Sequence, residues 1–499
     1  MTVAGDVTLL PQVQAFLAAE HGPWIAGGET AGGGTVTDVL NPATGTPLAR
    51  VRMASTANVD EAVTAARRSF EVGLWRALTP DARASVIWRI AELVERDRDV
   101  LAQLETLDNG KPLSESANID VPSVAGNFRY FAGWTTKLTG STNPVSWPQH
   151  LNYTIRQPVG VCAVIIPWNF PLVMASRYLG PALAAGNSIV LKPAEETPLT
   201  ALWLAALCHE AGVPPGVVNV VPGAGEVAGA RLAEHSDVDK VTFTGGHQAA
   251  RAVLRASAAN FKRLSLELGG KNPQIVFSDV ALDDVLANVL AGGLYNCGQN
   301  CAAGARVYVQ RPLLEEFRER TVAYLEGLEV GPGWRVGVDL GPIISEGQLA
   351  RISGFLAQGS RTGARIATGG GRPDGVPDGG YFMQPALIDV ADDDNVMVRE
   401  EIFGPVVTLL GFDDVDEIVA RGNDTRFGLT AGVWTRDIAV AHRLAEQLRA
   451  GTVWVNGWDR WDPAAPFGGV KQSGYGHSYG REAVEEFSVL KSIWVNYSA

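Results

Sequence analysis

Val159-Gly160-Val161-Cys162-Ala163-Val164-Ile165-Ile166 is a short, almost unbroken apolar run. A strand with one wet face alternates apolar and polar residues, whereas a strand buried on both faces does not. The run therefore reads as a strand in the middle of a sheet. Helical residues follow as far as Ala185, and the theme then repeats. Strands read at 188–191, 217–220, 240–243 and 263–266, with helices at 198–211, 224–234 and 248–259 between them. Five strands alternating with helices predict an open parallel sheet covered on both faces, an α/β fold.

A second alternation runs from Pro273 to about Asn456. Its strands read at 274–277, 307–309 and 452–455, and its helices at 282–294, 313–328 and 438–448, which predicts a second α/β unit. Two stretches, 149–157 and 490–497, look extended but stand outside both alternations. Upstream, 58–78 reads as a helix that Asn58 can cap, with Glu61 in the capping-box position. Another begins at Thr79 with Pro80 in its first turn. There Val86, Ile90, Leu93, Val94 and Leu101 recur at helical spacing. The first twenty or so residues read as a loosely attached lead-in.

At ~100–200 residues per domain, 499 residues allow two to four domains. A net charge of −13 without a basic tract argues against nucleic acid as a partner. The four cysteines, Cys162, Cys208, Cys297 and Cys301, form neither a disulfide framework nor a zinc-ligand spacing, so a reducing, cytoplasmic setting fits and no metal is expected. Residues 1–20 lack the basic start and apolar core of a signal peptide. No apolar run approaches the ~20 residues of a membrane span.

Four loops carry the chemistry. Asn296-Cys297-Gly298-Gln299-Asn300-Cys301 follows an apolar helix, and Gly298 permits a sharp turn that would present Cys301 in a cleft. Pro167-Trp168-Asn169-Phe170-Pro171 follows the first sheet strand. Ligands in such folds bind beyond the carboxyl ends of strands, which puts the Asn169 amide where an oxyanion could be held. Glu267-Leu268-Gly269-Gly270-Lys271 follows the fifth strand and adds a carboxylate at the same edge. Glu401-Ile402-Phe403-Gly404-Pro405 adds another acid and an aromatic ring.

These segments, in this order, resemble the aldehyde dehydrogenase superfamily. The resemblance runs from about Trp24 to Val495 and includes Asn41-Pro42-Ala43-Thr44-Gly45, Lys192-Pro193-Ala194-Glu195-Glu196-Thr197-Pro198 and Pro466-Phe467-Gly468-Gly469. It implies a Rossmann-like NAD-binding unit (1–137 and 159–267), a catalytic unit (268–472) and a small β oligomerisation arm (138–158 and 473–499) in a homodimer or homotetramer. It implies Cys301 as the nucleophile, Asn169 as oxyanion donor and Glu267 as the base that activates water. Pro167, Trp168, Lys192, Glu195, Gly225, Phe243, Gly246, Leu268, Glu401 and Phe403 would bind the cofactor. Glu195 would bond the adenosine ribose and repel a 2′-phosphate, favouring NAD, with NADP possible. Phe170, Arg177, Trp458, Trp461 and Phe467 would line the tunnel for a small-molecule aldehyde, aromatic or medium apolar, with or without an anionic group.

The sequence departs from the family pattern in three places. Gly246 stands where serine is usual. Arg177-Tyr178 replaces Trp-Lys, and His477-Ser478 replaces Arg-Glu, so the lysine and glutamate thought to relay the proton of the base are gone together. Losing both halves of a buried charge pair is far less costly than losing one. Either water or Tyr178 then carries the proton from Glu267. Arg177 either points into the tunnel or snorkels to the surface. Cys297 is either a buried bystander or a disulfide partner of Cys301. Competing readings of the whole are CoA-acylating dehydrogenation, which Glu267 disfavours, and a non-catalytic relative, which the intact Asn169, Glu267 and Cys301 disfavour.

Overall fold

The computed structural model describes residues 8–498. The first alternation folds as read. Its strands are β1 (Val161–Ile165), β2 (Ser188–Lys192), β3 (Val218–Val220), β4 (Lys240–Gly245) and β5 (Arg263–Leu268). They lie parallel in the order β5-β4-β1-β2-β3. The chain winds outward from β1 in one direction, then returns to its other side, so the loops after β1 and β4 diverge and leave a crevice there. Every residue of β1 is buried, which accounts for its unbroken apolar sequence. Helix α1 (Pro171–Ala185), which follows β1, is buried along all 15 residues. A helix apolar on every side belongs inside a large protein, and α1 is covered by Pro80–Arg96, Val121–Ala132 and Gly480–Glu486.

The second sheet has seven strands: β6 (Pro273–Val276), β7 (Arg306–Gln310), β8 (Arg365–Thr368), β9 (Ala386–Asp389), β10 (Val406–Phe412), β11 (Thr430–Trp434) and β12 (Thr452–Val455). Their order is β8-β9-β10-β7-β6-β11-β12, parallel except for the β8 edge. The 274–277, 307–309 and 452–455 expectations thus account for three of seven strands.

Three expectations upstream and at the end are corrected. The helix expected at 58–78 is Thr56–Val72, and its cap is Ser55. The Ser55 hydroxyl accepts from the Asn58 N–H, and Asn58 Oδ1 accepts from the Ser55 N–H, so Asn58 is the reciprocal partner and Glu61 has no part in the cap. Gly73, with φ of 84°, ends the helix well before Leu78. The lead-in is anchored: Pro11–Ala18 is a helix with Val13 fully buried, and the Leu10 N–H donates to Gln103 Oε1 at 3.0 Å. Residues 1–7 lie outside the described residues. Finally, not all of 473–499 leaves the first unit. Gly474–Tyr475 pairs antiparallel with β5, and only Ser488–Asn496 pairs with His150–Pro158, over nine residue pairs. Among the described residues, no helix is long and apolar enough to cross a membrane.

Candidate active site

The Cys301 loop follows helix Leu282–Leu294. Asn296 and Cys297 both take left-handed backbone conformations, with φ of 50° and 56°, and Gly298 follows at 67°. Two non-glycine residues held there in succession store strain of order 1–3 kcal/mol each, which packing must hold in place. Gly298 is obligatory twice over, because a side-chain carbon there would also strike the carbonyl of Gly404. Cys301 emerges from this loop half-buried and free. Its carbonyl accepts from Asn272 Nδ2 at 2.9 Å. The same Asn272 nitrogen reaches the Ala303 carbonyl at 2.9 Å, and Asn272 Oδ1 accepts from Thr430 N–H, so one amide ties the loop to β11.

Asn169 is brought to this loop as expected. Its backbone carbonyl accepts from Asn296 Nδ2 at 2.7 Å, and its own Nδ2 donates to the Gln299 carbonyl at 2.9 Å. A side-chain amide carries two N–H hydrogens, so one remains to give. Glu267 ends β5, with Thr244 of β4 directly opposite. The carboxyl is buried and Oε1 has no hydrogen-bond partner. Burial therefore pushes its pKa well above the carboxylate range, against the pull of Arg177, with Glu486 pushing the same way as burial. Burial likewise pushes the Cys301 thiol up to about 12, opposed by Arg177 and reinforced by Glu267, Glu401 and Asp459.

Two cavities meet at Cys301, which among the described residues is the one that lines both. The wider, about 280 Å³, lies in the crevice between the loops after β1 and β4. Pro167, Trp168, Asn169, Gly245, Gly246, Glu267, Leu268, Glu401 and Phe403 face it. Trp168 and Phe403 meet edge to face at 5.3 Å across its wall. Glu401 accepts from the Gly270 N–H at 3.0 Å, and its pKa is raised to about 7 by burial, against that hydrogen bond. Two residues that sequence reasoning missed hold this wall. Gln348 donates to the Phe403 carbonyl at 2.7 Å, and Arg351 to the carbonyls of Ile402 and Glu401 at 2.6 and 2.7 Å. Gly246 starts helix His247–Ala256, and a side chain there would meet open space. The same is true of Gly225, at the start of the helical turns 225–234. Lys192 and half-exposed Glu195 sit 3.5 Å apart beyond β2, and the Lys192 stem lies across Gly229. Phe243 does not face the cavity; it is buried in the sheet against Gly245.

The narrower cavity, about 50 Å³, is also lined by Cys301. Phe170, Arg177 and Trp461 line it as expected. Arg177 does not snorkel: it is 5% exposed, and its guanidinium lies 4.5 Å from the Tyr479 ring, 5.3 Å from Trp461 and 5.5 Å from Phe467. Phe467 sits behind it, edge to face with Trp461 at 4.6 Å, and does not line the cavity. Trp458 is the residue that sequence reasoning misplaced. Its ring fills the space over Gly292 and Gly432 in the core of the second unit. Asp120, Tyr295, Asp459 and Tyr479 also line this cavity, and of these Asp120, Asp459 and Tyr479 were not anticipated as site residues. Tyr295 stacks on Phe170 at 5.6 Å and donates to Asp120, which is paired with buried Lys111 at 2.6 Å. Asp120 ends a π-helical turn, Ser116–Asp120, a break in helical spacing that was the available signal.

Tyr178, on α1, reaches the other side of Glu267 and bonds Thr244 Oγ1 at 2.6 Å. Ser478 is buried with its N–H on the Phe467 carbonyl at 2.7 Å, and His477 is exposed. Cys297 is buried and free.

Comparison with known proteins agrees with this arrangement. The pattern of the "Aldehyde dehydrogenase family" matches residues 29–493. The mitochondrial aldehyde dehydrogenase of Homo sapiens is 44% identical over 458 residues, covering 91% of this chain and 88% of that one. That of Mesocricetus auratus is also 44% identical over 458 residues, covering 91% of both chains. An NAD+ complex of aldehyde dehydrogenase from Bacillus cereus superposes with a TM-score of 0.97 at 45% identity, over 99% of this chain and 100% of that one. With Asn169, Glu267 and Cys301 gathered at the crevice of the first sheet, the chain belongs to the aldehyde dehydrogenase family.

Proposed function

We propose that the protein oxidises an aldehyde to its carboxylic acid with NAD, through a thioester on Cys301 that water hydrolyses. The observation that carries this reading is the position of Cys301 at the junction of two cavities. One is walled by backbone, glycines and carboxylates, and the other by aromatic rings with Arg177, Asp120 and Asp459 among them.

The residues fit a dinucleotide. Gly225 and Gly246 leave open space at two helix starts, where backbone N–H groups favour phosphate. Lys192 and Glu195 would hold the adenosine ribose, with Glu195 repelling a 2′-phosphate. Glu401, Phe403 and Trp168 would hold the nicotinamide half. NAD, when bound, accepts the hydride that leaves the aldehyde carbon.

The Cys301 thiolate attacks that carbon. The oxyanion takes hydrogen bonds from the free Asn169 N–H and the Cys301 backbone N–H, and removing one such donor raises the barrier by about 3 kcal/mol. After hydride loss, Glu267 removes a proton from water as it attacks the thioester. The acid departs and the thiol is restored. Phe170, Tyr295 and Trp461 suit an aromatic or medium apolar aldehyde, and Arg177 suits one that carries an anionic group. A quaternary ammonium aldehyde would meet a buried like charge and bind poorly.

The free cysteines fit a reducing compartment such as the cytoplasm. The strand pair His150–Pro158 and Ser488–Asn496, with Leu490 and Trp494 exposed, suits pairing with another copy in a homodimer or homotetramer.

The test is NADH formation by purified protein with aliphatic, aromatic and carboxylated aldehydes, against Cys301→Ala. Turnover lost in the variant supports the reading. No turnover with any aldehyde, with or without CoA, overturns it.

A further inference from the structure

Among the described residues no carboxylate forms an ion pair with Arg177. Its guanidinium is buried, its Nε has no hydrogen-bond partner, and three rings pack against it, while Asp459 and Glu267 act on it only from beyond ion-pair contact. An uncompensated buried cation is expensive to keep, so its position asks for an anion. Cys301 lines the same cavity. We propose that Arg177 is the fixed counter-ion of Cys301, a positioning residue that stabilises the thiolate from the tunnel side of the sulfur. This inference rests on the reading of Cys301 as the nucleophile.

In the step concerned, the S–H bond breaks, sulfur keeps the electron pair, and the proton leaves to water in the wider cavity. Burial opposes that ionisation, and Glu267, Glu401 and Asp459 oppose it further by their charge, so the cation is what favours it. The ionisable groups whose charge acts on the guanidinium are Cys301, Glu267 and Asp459, with the hydroxyls of Tyr178 and Tyr479. The three rings hold it by their faces, which fixes its place without consuming its charge.

The test is the pH dependence of Cys301 alkylation by iodoacetamide, read by mass spectrometry on the intact protein without cofactor or aldehyde. Buried Cys162, Cys208 and Cys297 serve as internal controls. Arg177→Met should raise the midpoint by roughly one to three pH units, the effect of a nearby opposite charge. Arg177→Lys should restore most of it. Thermal unfolding shows which variants are folded, and Arg177→Gln replaces Arg177→Met if the latter is not. An unchanged midpoint in a folded neutral variant overturns the proposal, as does a lysine variant that behaves like methionine. A higher KM for carboxylated aldehydes alone, with the midpoint unchanged, also overturns it, because the guanidinium then serves only the substrate. Because alkylation needs no turnover, failure of the dehydrogenase reading would show separately.

Discussion

The Tyr178 hydroxyl lies 2.6 Å from Thr244 Oγ1, and Thr244 stands opposite Glu267 on the neighbouring strand. Burial and the charge of Glu267 push the tyrosine pKa upward, so this hydroxyl stays protonated and acts only by hydrogen bonding. Tyr178→Phe should slow hydrolysis of the thioester by roughly three- to tenfold, the worth of one ordinary hydrogen bond. Single-turnover hydrolysis across pH measures it. An unchanged rate and profile would leave water as the sole exit for the proton.

Glu267→Gln has two separable consequences. Turnover should stop after one equivalent of NADH, because the thioester forms and water is not activated. Stability should move the other way. The folded carboxyl has a raised pKa, so the fold prefers its protonated form. Below the usual carboxylate range both states are protonated and nothing is lost. As pH rises, the unfolded chain releases its proton first and the fold loses stability until the folded pKa is passed. Glutamine is neutral throughout, so the variant should melt higher than the parent at pH 8, with the gap closing at low pH. Melting curves at several pH values decide it.

Trp458 fills the core over Gly292 and Gly432 rather than the tunnel. Trp458→Ala should cost about 3–5 kcal/mol of stability, as large core truncations do. The KM of whatever folds should be near that of the parent. A large rise in KM with little loss of stability would place the ring in the substrate path after all.

At the cofactor end, Gly246→Ser adds a hydroxyl in open space at a helix start. Calorimetry should record tighter NAD binding, with a stability gain of only a few tenths of a kcal/mol. Glu195→Gln removes the charge that would repel a 2′-phosphate. The ratio of kcat/KM for NAD over NADP should fall by about tenfold, the size of one modest electrostatic contribution near ~1.4 kcal/mol.

The first sheet was legible because its five parallel strands carry the signal of double burial, from Val161–Ile165 onward. The second was less so. Thr430–Trp434 contains Gly432, which weakens a strand signal and is there to admit the Trp458 ring, a contact 26 residues away in sequence that no local pattern announces. The Asn58 cap failed by three positions because Ser55 and Asn58 are both good caps, and only the reciprocal bond distinguishes them. Glu267 and Asn169 were legible from short motifs at strand ends, and Cys301 from the loop after an apolar helix. Asp120, Asp459 and Tyr479 were not, because they converge on the cavity from three segments far apart in sequence, and only the folded chain brings them together.

Gly298 presses its backbone against that of Gly404 with no room for a side chain between them. The loop that carries the nucleophile and the loop that carries Glu401 and Phe403 therefore share a wall. Neither can shift far without pushing the other, so any movement of Glu401 and Phe403 must be felt at Cys301. The two halves of the reaction are geared together by the absence of a single methyl group.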